Sequence, residues 1–136
     1  MTEKALNPLD VSTTVNHFLS LAGEQNWEAF DAEVIHVSNR PEMIDWLPSG
    51  FKDERIDVRD LAISISEKTS QKLDEIINRK LEDLLISDPN KHLRRKAAIA
   101  LFVKGNRSPQ IMLTLEDAMA NDDELKGQVS ILLELS

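Results

Sequence analysis

The chain has 136 residues, enough for one domain with a modest core, and its net charge of −8 argues against a general nucleic-acid-binding domain. It contains no cysteine, which excludes disulfides and thiolate metal sites. The N-terminus lacks the basic start and apolar run of a signal peptide, and no apolar stretch reaches the ~20 residues of a membrane span, so a cytoplasmic protein is predicted.

Two helices are predicted before residue 40. The first has Ser12 or Thr13 as its N-cap and ends at Gly23. The second follows an Asn26 cap; residues 34–37 also fit a short strand, but helix is favoured because no partner strand is evident. Helical spacing predicts that these helices bury Val11, Val15, Phe18, Leu19, Ala22, Trp27, Phe30, Val34 and Val37.

Six further helices complete an all-α fold. The third begins at Pro41 and is expected to end at residues 48–50, because a Pro-Ser-Gly sequence is typical of a turn. Four glycines and no tyrosine in the chain suit helices better than a sheet. The remaining helices are predicted over about 57–69, 73–86, 93–103, 109–120 (after a Ser108 cap) and 123–136.

One block of sequence recurs along the chain. Residues 93–101 (LRRKAAIAL) return in altered form at 125–133 (LKGQVSILL) and at 58–65 (VRDLAISI). Self-similarity at a period of this size is the sequence pattern of stacked helical repeats. Each copy follows an acidic or Asn-rich turn, which suits the positive start of a helix. Four residues after its first aliphatic residue, each copy has a small one that lets two helices approach closely: Ala62, Ala97 or Val129.

Residues 88–101 (DPNKHLRRKAAIAL) resemble HEAT-like repeats, in which an Asp-rich turn precedes a Val-Arg-x-x-Ala-x-x-Ala-Leu helix. The resemblance covers about residues 53–136 and implies a right-handed α-α superhelix of helix pairs. Residues 1–52 would then be an N-terminal helical cap or degenerate repeat within a single domain of residues 1–136. It also implies that Arg59, Arg94 and, in the last copy, Lys126 bond the acidic turns of adjacent repeats.

Basic residues concentrate in one repeat copy. Residues 88–107 hold six basic residues against Asp88 alone, a net charge of +5, whereas residues 1–50 hold two basic and eight acidic residues, a net charge of −6. Clustered cations suit an acidic partner. The predicted partner contacts on this basic segment are Arg94, Arg95, Lys96 and Arg107.

A second candidate contact is the segment 46–51. Bulky apolar residues surround its Pro-Gly turn, so Trp46 and Phe51 could form a protruding contact, although packing over the first repeat is the favoured use. No catalytic, cofactor or metal site is predicted. The three histidines lie in no ligand motif, and a metal site would need histidine and carboxylates to converge from distant helices. No phosphate-binding glycine loop or serine–histidine motif is evident.

The predicted function is therefore protein–protein interaction by a small adaptor, regulator or inhibitor that uses one face of the stack. One alternative is nucleic-acid binding through residues 91–107, which the acidic overall charge opposes. The other is a subunit of a tetrapyrrole lyase-type enzyme, which rests on the repeat resemblance alone. The last helix has no following partner and carries apolar residues on more than one face, so this C-terminal helix is predicted to meet a second copy of the chain, as a homodimer, or a partner chain. The alternative is that the helix folds over the end of the stack.

Overall fold

A computed structural model describes residues 10–135 and confirms the all-α prediction over that range. None of the described helices is long and apolar enough to cross a bilayer. The predictions for residues 1–9 and for Ser136 fall outside the described residues. The helices are α1 (Val11–Gly23), α2 (Trp27–Val37), α3 (Pro41–Phe51), α4 (Ile56–Lys68), α5 (Glu75–Ser87), α6 (Lys91–Val103), α7 (Pro109–Asn121) and α8 (Lys126–Leu135).

The contacts divide the chain into two compact units, residues 1–71 and 72–136. The single-domain prediction and the right-handed superhelix stay predictions. The strand alternative for residues 34–37 is wrong, because these residues form the last turn of α2.

Helix starts follow the capping residues of the sequence in most cases. The predicted caps Asn26 and Ser108 each accept a hydrogen bond from the backbone N–H three residues later, at 3.3 and 3.4 Å. The cap of α1 was predicted wrongly as Ser12 or Thr13. Asp10 holds that position instead, because its carboxylate accepts both the backbone N–H and the hydroxyl of Thr13, at 3.1 and 2.7 Å.

In the first unit α4 packs against α1, α2 and α3. Every residue of α4 from Val58 to Ser66 is buried, which makes α4 a central helix and not an amphipathic one. Its buried hydroxyls are satisfied within the helix: Ser66 donates to the carbonyl of Ala62 at 2.8 Å, and Ser64 donates to the Asp60 carboxylate at 3.2 Å.

The predicted end of α3 at residues 48–50 is wrong, because the helix continues through Pro48 to Phe51. Proline inside a helix costs about 3 kcal/mol. Leu47 and Phe51, on either side of it, are 0% and 4% exposed. Burying two such side chains contributes about 3–6 kcal/mol, which outweighs the proline. Phe51 is therefore a core residue and does not protrude.

Gly50 lets the Trp46 indole fold back onto α3. A Cβ at residue 50 would lie 2.6 Å from the Trp46 ring and 3.0 Å from the Cβ of Ala62 on α4. Both distances are shorter than van der Waals contact. The small residue at 62 that the repeat predicts thus lies at a close approach of α3 and α4.

We predict that Gly50→Ala lowers the free energy of unfolding by about 1–2 kcal/mol, because overpacking outweighs the gain in helix propensity. The matched control is Gly127→Ala in α8, where an added Cβ meets nothing within 4 Å. That control is expected to raise stability by up to about 1 kcal/mol. Urea unfolding followed by circular dichroism measures both, and equal shifts of the same sign would contradict the close approach.

In the second unit each helix packs against the next, α5 with α6, α6 with α7 and α7 with α8. α6 lies between α5 and α7 and buries Leu93 and residues 97–102. Three of those residues are alanines, whose small side chains permit close helix approach on two sides. These packed neighbouring helices are compatible with a helical repeat.

The same turn precedes α4, α6 and α8. A carboxylate oxygen of Asp53, Asp88 and Asp122 accepts a hydrogen bond from the backbone N–H two residues later, at 2.9, 2.9 and 3.1 Å. These aspartates are 35 and 34 residues apart. The recurring sequence block is therefore accompanied by a recurring aspartate turn, which we call the Asp turn.

A second contact recurs in two of the copies. Arg59 and Arg94 each lie six residues after the aspartate, and each donates from Nη1 to the main-chain carbonyl of that aspartate. The arginine thus fastens the turn that opens its own helix; a bond to the acidic turn of an adjacent repeat stays a prediction. Six residues after Asp122 the chain has Gln128, so Lys126, which is exposed, does not hold the equivalent position.

Candidate protein-binding cleft

A polar cleft of about 690 Å³ lies along α6 and α7 and reaches the end of α5. We call it the α6–α7 cleft. Its lining carries three cations and one anion, a net charge of +2 in a chain of net charge −8. The lining residues are Leu85, Ile86, Lys91, Arg94, Arg95, Gln110, Thr114, Asp117 and Asn121.

One wall of the cleft is a polar stripe on α7. Gln110, Thr114, Asp117 and Asn121 are spaced four, three and four residues apart, which places them on one face of a helix. At 1.5 Å per residue this stripe is roughly 16 Å long. The Thr114 hydroxyl donates to the main-chain carbonyl of Gln110 at 2.8 Å. The exposed side-chain amide of Gln110 has no hydrogen-bond partner among the described residues.

The opposite wall is formed by the first turns of α6. Lys91 is exposed, and no described residue forms an ion pair with its ammonium within 4 Å. Arg94 donates from Nη1 to the main-chain carbonyl of Asp88. This hydrogen bond fixes the position of the side chain and leaves the other guanidinium donors for a ligand. Both residues are therefore cations that are available to a negatively charged group.

Arg95 connects the two walls. Its Nε lies 2.7 Å from Asp117 Oδ2, and its Nη1 lies 3.3 Å from Asp122 Oδ2. The hydrogen bond to Asp117 raises the pKa of Arg95. The pKa of Asp117 is lowered, first by the hydrogen bond from Arg95 and second by a hydrogen bond from the Asn121 amide at 2.9 Å. Two carboxylates neutralise the charge of Arg95. The residue therefore holds the two walls of the cleft together and contributes little positive charge for a ligand.

Asp122 lies at the end of α7 and contacts both α6 and the turn before α8. One oxygen accepts the backbone N–H groups of Glu124 and Leu125, both at 3.1 Å, and the other lies 2.9 Å from His92 Nδ1. Burial raises the pKa of Asp122, but the hydrogen bonds from His92, Leu125 and Arg95 outweigh it, so the pKa is lowered.

His92, Asp122 and Glu124 bring ligand atoms within 4.8 Å of one another, and they are the group among the described residues that could hold a metal ion. Because His92 is far from Asp122 and Glu124 in the sequence, their proximity in the fold is not evident from it, and the sequence predicts no metal site. Asp122 is already bonded by Arg95 and by two backbone N–H groups. The arrangement is a hydrogen-bonded cluster that ties the start of α6 to the turn before α8.

The remaining predicted contact residues lie outside this cleft. Arg107 donates from Nη1 to the Phe102 carbonyl at 2.6 Å, and its guanidinium carbon lies 3.6 Å above the centre of the Phe102 ring. It therefore closes the C-terminal end of α6. Lys96 is half-buried on α6, and Trp46 is half-buried against Gly50 in the first unit. The structure thus brings together Arg94 and Arg95 of the predicted set, and it adds Lys91 and the α7 stripe.

A smaller cleft of about 390 Å³ lies between α1 and α2 in the first unit. His17 Nε2 forms a hydrogen-bonded pair with the Glu33 carboxylate at its edge. The rest of its polar lining is Thr13, Thr14, His36 and Arg40. Both partners of the pair are about half exposed. An exposed pair of this kind contributes little to stability.

The exposed side of α8 bears on the predicted homodimer. Val129 is buried within the second unit, whereas Ile131 is 59% and Leu135 is 80% exposed. If this face joins two copies, light scattering is expected to show the molar mass rising with concentration, and Ile131→Glu with Leu135→Glu is expected to abolish the rise. A strict monomer at every concentration would contradict the dimer.

No protein-family model matches the chain, and no curated protein or solved structure is significantly similar to it. The resemblance to HEAT-like repeats accordingly rests on the recurring block, the Asp turns and the helical architecture. Function is inferred from the residues of the α6–α7 cleft.

Proposed function

We propose that this protein is a HEAT-like protein-interaction module, located in the cytoplasm, that binds an acidic segment of a partner protein in the α6–α7 cleft. The observation that carries the proposal is a concave, positively charged surface on an otherwise acidic molecule. Charge complementarity of this kind steers the association with a partner of opposite charge and excludes partners of like charge.

The polarity of the cleft supports a protein ligand over the two alternatives. A tetrapyrrole would need a large apolar pocket, but the lining of this cleft is mostly charged and amide side chains. Nucleic-acid binding needs many cations free for phosphates, but Arg95 and Arg107 are bonded within the protein. No observation favours a catalytic role.

The test is affinity purification of the tagged full chain from its native cell, with mass spectrometry of the retained proteins. The same purification is run with Lys91→Glu, and with Lys72→Glu as a control of equal charge change at an exposed lysine outside the cleft. The proposal expects a stoichiometric partner that the control retains and the cleft variant loses. No stoichiometric partner, or a partner retained equally by both variants, would overturn it.

With that partner in purified form, Lys91→Glu is expected to weaken binding about tenfold or more. The substitution removes an attraction and adds a repulsion, together worth roughly 1.5–3 kcal/mol for close charge pairs. The loss is expected to shrink at high salt, because exposed charges are screened. Isothermal titration calorimetry at two salt concentrations measures both effects, and a salt-independent affinity would contradict the electrostatic contact.

A further inference from the structure

We infer that the occupant of the α6–α7 cleft is a short extended peptide of about five residues, whose main chain contacts the amides of α7 and whose carboxylates contact Lys91 and Arg94. This inference rests on the proposed function and specifies the chemistry of the partner. It uses three independent features: the length of the α7 stripe, the type of its side chains and the position of the free cations.

The length of the stripe sets the size of the peptide. Gln110 and Asn121 lie at its two ends, roughly 16 Å apart along the helix. An extended chain rises about 3.3 Å per residue, so about five residues reach from one end to the other. A cleft volume of about 690 Å³ lies in the range that encloses a ligand of this size.

The side chains of the stripe suit a peptide main chain. A carboxamide offers an N–H donor and a carbonyl acceptor side by side, which is the pattern that a peptide group needs. Both groups of the Gln110 side chain are available. Asn121 donates one side-chain N–H to Asp117, and its side-chain carbonyl remains available. Side-chain amides that bind the main chain of a peptide do not distinguish the peptide's side chains. They therefore select an extended conformation and not a particular sequence.

The cations place the acidic residues at one end of the peptide. Arg95 lies opposite Asp117, and His92 lies opposite Asp122, so Lys91 is near the Asn121 end of the stripe. Lys91 and Arg94 are about 4.5 Å apart along the axis of α6. Two carboxylates on alternate peptide residues lie on the same side of an extended chain and can reach both cations.

An apolar surface adjoins the cations. Leu85 and Ile86 line the cleft at the end of α5, and Ile86 is 66% exposed. A peptide residue beyond the acidic pair would meet this surface, so an aliphatic side chain is expected there. Arg95 is a positioning residue in this arrangement, because Asp117 and Asp122 neutralise its charge and it joins the two walls.

The experiment is a selection of random eight-residue peptides by display on the immobilised full chain, followed by fluorescence anisotropy with the enriched peptides. The enriched peptides are expected to carry two acidic residues within three positions and an adjacent aliphatic residue. Lys91→Glu is expected to weaken their binding at least tenfold. Gln110→Ala is expected to weaken it about fivefold, as for the loss of one or two hydrogen bonds.

Two substitutions serve as controls. Lys126→Glu is expected to leave peptide affinity unchanged, and so is Asn16→Ala, which removes an exposed amide from α1. No enrichment, enrichment of basic or purely apolar peptides, or an affinity insensitive to Lys91→Glu would overturn the inference. A cellular partner that binds the cleft through an acidic segment that is helical, and not extended, would overturn this inference and leave the proposed function standing.

Discussion

Replacing Asp122 by alanine is expected to lower the free energy of unfolding by about 2–4 kcal/mol, because several contacts are lost together. The two backbone N–H groups that open the last helical segment lose their acceptor. Arg95 and His92 also lose a carboxylate whose side chain is only 6% exposed. Asp117 remains beside Arg95 and limits the cost of the unpaired charge.

The matched control for this change is Asp123→Ala, one residue along the same turn and exposed to solvent. Surface substitutions of that kind usually change stability by less than about 0.5 kcal/mol. Urea unfolding at neutral pH measures both variants. A loss of under 1 kcal/mol for Asp122→Ala would show that the Asp turn does not fasten the second unit.

The difference between the wild type and Asp122→Ala is expected to depend on pH. The pKa of Asp122 is lowered in the folded protein, so the unfolded chain binds its proton more readily. Such a group contributes stability that is present above its unfolded pKa, about 3.9, and is lost as the pH falls through the folded pKa. The lowered pKa of Asp117 acts in the same direction in both proteins.

We therefore predict that the stability gap between the two proteins is widest above about pH 5 and narrows steadily below pH 4. Urea midpoints measured from pH 7 to pH 2.5 test this. Asp45→Ala, which removes an exposed carboxylate from α3, is the control and is expected to show no such trend. A gap of the same size at both ends of the pH range would mean that Asp122 acts through packing and not through its charge.

Much of the helical architecture could be predicted from the sequence because its determinants are local. The caps Asn26 and Ser108 act on the backbone three residues away, and apolar residues at helical spacing, such as Ile77, Leu81 and Leu85, form the buried side of α5. The continuation of α3 through Pro48 could not be predicted in this way. It depends on the burial of Leu47 and Phe51, which is a property of the packed unit and not of the segment.

The candidate site could be predicted only in part. Clustered charge on residues 91–107 pointed to α6, and Arg94 and Arg95 do line the cleft. The same composition could not distinguish a cation with no ion pair within 4 Å among the described residues, such as Lys91, from one bonded within the fold, such as Arg107. The α7 wall was missed because Gln110 and Asn121 look like ordinary surface residues until α7 lies beside α6.

The central claim is that a partner binds in the α6–α7 cleft, and hydrogen–deuterium exchange of the full chain with and without the captured partner tests it most directly. The account predicts slower exchange in residues 91–96 and 110–121 when the partner is bound, with residues 11–37 unchanged. Protection confined to α1 and α2, or to α8, with no change in those two segments would contradict it.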